Sequence, residues 1–244
     1  MTQQKLIIVG AAGGIGNAVC EMLAEQGGVA HLIGRDEGKI SAAATKFGWT
    51  HSAADASDWD QLDAACSEGR EALGEVTGVV NLAGSVLLKP AHLTSRADWD
   101  STVSQNLTTA FGLLRCMATK MVDAGSVVLM SSAAANIGLS NHEAIAACKA
   151  GIEGLVRSAA TTYAAKKVRV NGVAPGLVKT PLTERIWSQE RAAAASTSLH
   201  PVGRLGEPAD IASAILWLTD LRQSWVTGQT IGVDGGLGTL KTMS

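Results

Sequence analysis

The sequence predicts an α/β fold, a doubly wound parallel sheet flanked by helices on both faces. Three observations carry that expectation. Short apolar runs rich in Val, Ile and Leu alternate with longer segments of helical spacing through all 244 residues. The runs lack polar alternation, as strands covered on both faces do. A glycine cluster follows the first run and opens the first helical segment. Such alternation favours parallel pairing through right-handed crossovers, which distribute helices over both faces.

In chain order, strands are expected at 6–9, 29–33, weakly near 49–53, then at 76–81, Ser126–Met130, 168–173 and Thr230–Val233. Helical spacing marks 15–26, 58–73, 98–123, 143–166 and 208–218. The Ala-rich stretch 191–196 reads as a helix within an insertion. No Pro/Ser-rich linker interrupts the pattern, so a single domain over 1–244 is expected.

Composition narrows the function classes. The chain is 46% hydrophobic with a net charge of −2, which excludes a disordered chain. A chain of this size buries roughly 70–75% of its unfolded surface. Lys and Arg total 20 against 22 Asp and Glu, leaving no cationic surplus to neutralise a nucleic-acid backbone. No apolar stretch approaches the ~20 residues of a membrane span. Cys20, Cys66, Cys116 and Cys148 form no CxxC pair, so neither a zinc ribbon nor a dithiol centre is expected. With no signal peptide in view, a reduced cytoplasmic compartment is the expectation. Among nine aromatic residues only Tyr163 is a tyrosine.

The cluster Gly10-Ala11-Ala12-Gly13-Gly14-Ile15-Gly16 has the spacing GxxxGxG, on Gly10, Gly14 and Gly16. Glycines there permit a tight turn and close approach of backbone to a pyrophosphate. The helix N-terminus adds free N–H groups and a positive dipole end. The bland counterpart is an ordinary strand–helix turn. The second strand ends in Leu32-Ile33-Gly34-Arg35-Asp36, with no carboxylate at the strand-end position. Arg35 lies about 20 residues past Gly14, where the ribose-reading residue is expected. A guanidinium there pairs with a 2′-phosphate, favouring NADP; Asp36 leaves NAD as the alternative.

The glycine spacing, the length and the strand pattern resemble the short-chain dehydrogenase/reductase family, whose loop reads TGxxxGxG, with Val9 here in the Thr position. Its 3-oxoacyl-ACP-reductase-like branch is the nearest in pattern. The resemblance implies a Rossmann-type sheet and further cofactor contacts. Asp55-Ala56 matches the pair facing adenine. Asn81-Leu82-Ala83-Gly84 matches NNAG with Leu82 for the second Asn, and Asn81 is expected to tie adjacent strands. In Asn171-Gly172-Val173-Ala174-Pro175-Gly176-Leu177-Val178-Lys179-Thr180, Pro175 and Gly176 shape the nicotinamide pocket. The backbone of Val178 faces the carboxamide there, and Thr180 reaches the pyrophosphate. His200-Pro201-Val202-Gly203-Arg204 and Val233-Asp234-Gly235-Gly236 complete a match over essentially the whole chain, with a substrate lid at about 181–200.

The family's catalytic set is Asn, Ser, Tyr and Lys, with Tyr thirteen residues after Ser and four before Lys. Ser132 and Lys149 satisfy both counts, and Asn106 matches the Asn. Both counts meet on Ile145. Isoleucine neither donates nor accepts a proton. Tyr163, five turns on and about 27 Å away, cannot substitute from the same helix. His142, one turn before Ile145, is the candidate replacement donor. The competing reading makes it a surface residue in a capping box of Ser140 and Glu143. Cys148 beside Lys149 reads as a small buried filler or as an activated thiol. Lys149 alone suffices to bind a cofactor ribose.

Helices 98–123 and 143–166 carry apolar residues on more than one face, so a homo-oligomer, dimer or tetramer, is expected. The expected function is an NADP-dependent oxidoreductase acting on a carbonyl/alcohol or related C=X bond of a small molecule, without the Tyr. The alternatives are a non-redox enzyme on this scaffold (isomerase, dehydratase or cyclase) and a catalytically silent nucleotide-binding protein.

Overall fold

In the computed structural model, which describes residues 3–121 and 124–241, strand β1 (Lys5–Val9) buries every side chain from Leu6 onward. Its residues alternate between two cores, as the two-residue period of a strand requires. Ile7 and Val9 join one cluster, and Leu6 and Ile8 the other. Six more strands complete one parallel sheet with it: β2 (Val29–Gly34), β3 (Thr50–Ala53), β4 (Gly78–Asn81), β5 (Ser126–Met130), β6 (Arg169–Pro175) and β7 (Thr230–Val233). Their order is β3-β2-β1-β4-β5-β6-β7.

Helices α1 (Gly14–Glu25), α2 (Glu37–Phe47) and α9 (Pro208–Thr219) cover one face through Val19, Leu23, Ile40 and Ile215. Helices α3 (Trp59–Leu73), α4 (Arg96–Val103), α5 (Thr109–Met117) and α6 (Glu143–Tyr163) lie in the remaining crossovers. From these, Leu62, Leu113 and Ile152 build the second core. The short α7 (Glu184–Trp187) and α8 (Glu190–Leu199) form the insertion between β6 and α9. The strand order reverses between β1 and β4, which opens a crevice at their carboxyl ends. Leu82 N–H donates to Val9 O at 2.8 Å and holds the two strand-end loops together there.

Three local features depart from the sequence expectations. Helix α2 was not among the expected elements. It buries only Ile40 and Ala44, too narrow a stripe to show a clear period. Asp36 caps it through Lys39 N–H at 3.0 Å, and Gly48 closes it at φ +67.

The expected helix over 98–123 is broken. Between α4 and α5 lies a π-helical turn, Ser104–Thr108, and the expected end at 123 lies outside the described residues. Side chains capture backbone carbonyls at the break: Asn106 Nδ2 donates to Thr102 O at 2.9 Å, and Thr109 Oγ1 lies 3.1 Å from both Gln105 O and Asn106 O.

The capping box of Ser140 and Glu143 does not form. The chain turns at Asn141 with φ +65, so the N-cap falls on His142, which makes no side-chain cap bond.

Candidate active site

The crevice opens into a cleft of about 430 Å³ lined from the ends of β1, β2, β4, β5 and β6 and from α6. The glycine loop forms its floor. Gly10 has φ +80, and a Cβ there would lie 2.8 Å from Ala83 N; one on Gly14 would lie 2.9 Å from Thr180 Cβ. Helix α1 begins without a side-chain cap, so its first-turn N–H groups are left for an anion. This cradle fits a dinucleotide pyrophosphate, with Gly13, Gly14, Ile15 and Gly16 on its surface. Gly16 is the tightest position, since a Cβ there would sit 2.3 Å from Ala11 O. Gly16→Ala is expected to cost about 2 kcal/mol, lowering the melting temperature by about 4–8 °C in a thermal scan.

At the far end of the cleft, Gly34, Arg35, Asp36 and Lys39 line the wall. Asp36 is already engaged: its carboxylate caps α2 and lies 3.7 Å from Lys39 Nζ. Arg35 is exposed and faces the cleft mouth. Asp55 and Ala56 line the adjoining wall, with Asp55 Oδ1 accepting from Ser57 N–H and Oγ at 2.9 and 2.8 Å.

Asn81 lies under the wall and not on it. Its Oδ1 accepts from Ala83 N–H at 3.0 Å, and its Nδ2 donates to Thr109 Oγ1 at 3.2 Å. It therefore joins the β4 loop to α5 and does not tie neighbouring strands, because its side chain extends past the strand end. Ala83 and Gly84 reach the cleft surface.

The other end of the cleft gathers Asn106, Ser132, Ile145 and Lys149. Lys149 is buried at 8% exposure and donates from Nζ to Met130 O at 2.9 Å. Burial pulls its ammonium down to about 8, because a charge in an apolar surround is poorly solvated. Ile145 stands one turn earlier on α6 and is 4% exposed. Asn106, in the π turn, donates to Ser85 Oγ at 3.0 Å and accepts from Ser85 N–H at 3.3 Å. Gly84 lets these groups converge: a Cβ there would lie 2.9 Å from Asn106 Oδ1 and 3.7 Å from Lys149 Nζ. Ser132 Oγ accepts from Ala134 N–H at 3.2 Å.

His142 is half-buried and is not among the cleft-lining residues; its Nδ1 lies 2.7 Å from Ser140 O. Tyr163 ends α6, packed against the core. Cys148 is buried, and burial pushes its thiol up, as suits a filler rather than a nucleophile.

Sequence reasoning did not single out Glu153, which is 8% exposed. Its Oε1 accepts from Ser131 Oγ at 2.9 Å and Asn136 Nδ2 at 2.8 Å, clamping both ends of the loop that carries Ser132. The signal was an acid one turn past Lys149, in the interior of a largely apolar helix. Pro175, Gly176, Val178 and Thr180 form the opposite wall. Beyond them the 181–200 segment is tethered by Trp187 Nε1 to Thr180 O at 2.9 Å and by Arg185 Nη2 to Val86 O at 3.1 Å.

Among the described residues, no helix is long and apolar enough to cross a membrane.

Comparison with known proteins gives a consistent result. Residues 10–238 match the family model described as enoyl-(acyl carrier protein) reductase. The chain is 33% identical to the 3-oxoacyl-[acyl-carrier-protein] reductase FabG of Thermotoga maritima, over 95% of this chain and 96% of that one. It is 31% identical to the acetoacetyl-CoA reductase of Cupriavidus necator, over 97% and 99%. A solved short-chain type dehydrogenase/reductase from Mycobacterium ulcerans superposes with a TM-score of 0.93 at 28% identity, covering 98% of this chain and 91% of that one. The seven-stranded parallel sheet agrees with these likenesses. The chain belongs to the short-chain dehydrogenase/reductase family of oxidoreductases.

Proposed function

We propose that the protein is an NADP-dependent oxidoreductase acting on a carbonyl/alcohol pair or a related C=X bond of a small molecule. The observation that carries this reading is one continuous cleft with Arg35 and Lys39 at one end and Ser132 and Lys149 at the other. The cofactor, when bound, supplies or accepts a hydride. Arg35 and Lys39 would hold its 2′-phosphate, and the α1 N-terminus its pyrophosphate. Asp36 is occupied by its cap, which argues against a ribose-reading carboxylate and so against NAD.

Ser132 would hold the substrate oxygen. Lys149 would hold the ribose and place a positive charge near the developing anion. Asn106 and Ser85 fix the ground behind Lys149. Ile145 supplies no proton, so the site favours substrates whose hydride adduct is a weakly basic anion that water can protonate. His142 does not line the cleft, which argues against it as the replacement donor. The buried Ile145 also favours a second reading, a non-redox isomerase, dehydratase or cyclase that keeps the scaffold.

The same reading takes the chain as a single cofactor-binding domain with 181–200 as the substrate lid, working in the cytoplasm. Trp99 on α4 and Phe111 on α5, 42% and 45% exposed, support a homo-oligomer.

Titration with NADPH and NADH tests the cofactor reading. NADPH is expected to bind more tightly. Arg35→Ala is expected to weaken NADPH about ten- to hundredfold and leave NADH within about threefold, as loss of a charge-assisted phosphate contact predicts. Equal loss for both cofactors would overturn the assignment of Arg35. Turnover is tested with a panel of ketones, enones and imines. No NADPH oxidation by protein that binds it would sink the redox reading, and product without net oxidation would select the second.

A further inference from the structure

We propose that His200 is a positioning residue, a latch that pins the end of the 181–200 segment to the cleft wall at Leu177. Helices α7 and α8 contribute no buried residue, so this segment is not held by a core of its own. The chain leaves the wall at Thr180, 6% exposed, and returns at His200, 4% exposed. The segment's other ties to the rest of the protein all lie in its first half: Thr183 to Val178 and Thr180, and the bonds from Arg185 and Trp187.

Both ring nitrogens of His200 are assigned by their partners. Leu177 N–H donates to Nε2 at 3.1 Å, and a backbone N–H can only donate, so Nε2 is bare. Nδ1 then carries the proton and donates to Ser196 O on α8 at 2.7 Å. One neutral imidazole thus bridges α8 to the segment Pro175–Val178 that lines the cleft. The neighbouring glycine is shaped for this ring. A Cβ on Gly176 would lie 2.5 Å from His200 Nε2, and one on Gly235 would lie 3.5 Å from His200 Cβ. Gly176 therefore serves the latch behind the wall as well as the cleft in front of it.

The two bonds are separable by substitution. His200→Gln places an amide near Nε2 and keeps an acceptor for Leu177. His200→Asn places one near Nδ1, keeps the donor to Ser196 and leaves Leu177 N–H without an acceptor. The readouts are trypsin cleavage at Arg185 and Arg191, located by mass, and NADPH affinity, with a thermal scan to verify folding. His200→Asn is expected to speed cleavage within the segment about tenfold, the size expected when a buried N–H loses its acceptor. NADPH affinity is expected to fall several-fold alongside. His200→Gln is expected to stay within about twofold of the parent on both.

Parental cleavage in the Asn variant, or equal acceleration in Asn and Gln, would overturn the latch; the latter result would mean that the ring acts by packing alone. His200→Ala is expected to match Asn, and if it fails to fold the Asn–Gln contrast still decides. The link to affinity rests on the cofactor reading above. A parent that binds no NADPH would overturn that reading, while the cleavage result would judge the latch independently.

Discussion

Ile145→Tyr is expected to raise NADPH-dependent reduction of simple ketones by about a hundredfold or more. A positioned general acid contributes typically 10²–10⁴-fold, and this is the only member of the expected catalytic set that is missing. Ile145 and Lys149 share one face of α6 and both line the cleft that Ser132 also borders. A phenol introduced there stands one turn from a buried cation, which lowers the cost of its ionised form. Because the side chain opens onto the cleft, the added ring and hydroxyl have space to enter.

The effect must come from the assembled set and not from a looser pocket. Adding Ser132→Ala to the Ile145→Tyr protein is therefore expected to remove most of the gain, while NADPH affinity holds. Initial rates of NADPH oxidation across a ketone series, at cofactor concentrations matched to each variant's affinity, measure both. If Ile145→Tyr brings no gain with binding intact, Ser132 or Lys149 is out of place, and the redox reading loses its geometric support.

What could be read from the sequence alone divides along a physical line. The inner strands were legible because they are buried on both faces, and Ser126–Met130 matches at both ends. The edge strand Thr230–Val233 also matches, on its β-branched residues and not on burial, since it is only partly covered. The vacancy at position 145 was legible because it is a matter of counting along one helix from Lys149. Helix α2 was flanked by its signals, Asp36 and Gly48, yet its two buried residues gave too little periodicity. The π turn was not legible, since it depends on where Asn106 and Thr109 send their side chains and not on what they are. Glu153, and the role of His200 within its motif, were missed for the same reason. Glu153 meets Ser131 and Asn136, and His200 meets Leu177, across 17 to 23 residues of chain, which no local pattern exposes.

Lys149→Met is expected to stabilise the cofactor-free protein at neutral pH while weakening its function. Burial holds the Lys149 ammonium at about 8, against 10.5 for a solvated lysine. The folded state thus binds this proton less tightly than the unfolded chain does. Between about pH 8 and 10.5 the unfolded chain keeps a proton that the folded protein has released, so parental stability rises with pH across that window. Below about pH 8 the charge is carried in the fold and its full penalty is present, of order 3 kcal/mol from a shift of that size. Methionine removes the charge at similar length but also forfeits the bond to Met130 O, leaving a net gain of about 2 kcal/mol, or about 4–8 °C in melting temperature. The advantage over the parent is expected to be greatest below pH 8 and to shrink towards pH 10.5. Thermal scans of the two proteins from pH 6 to 10 measure it, and a difference that is flat with pH would show that Lys149 carries no such penalty. In the same variant NADPH affinity is expected to fall about tenfold, through loss of a charged donor at the ribose. Stability gained and binding lost at one residue is what a buried charge kept for its chemistry should produce. A variant that is neither more stable nor weaker in binding would leave Lys149 without the role that the cleft gives it.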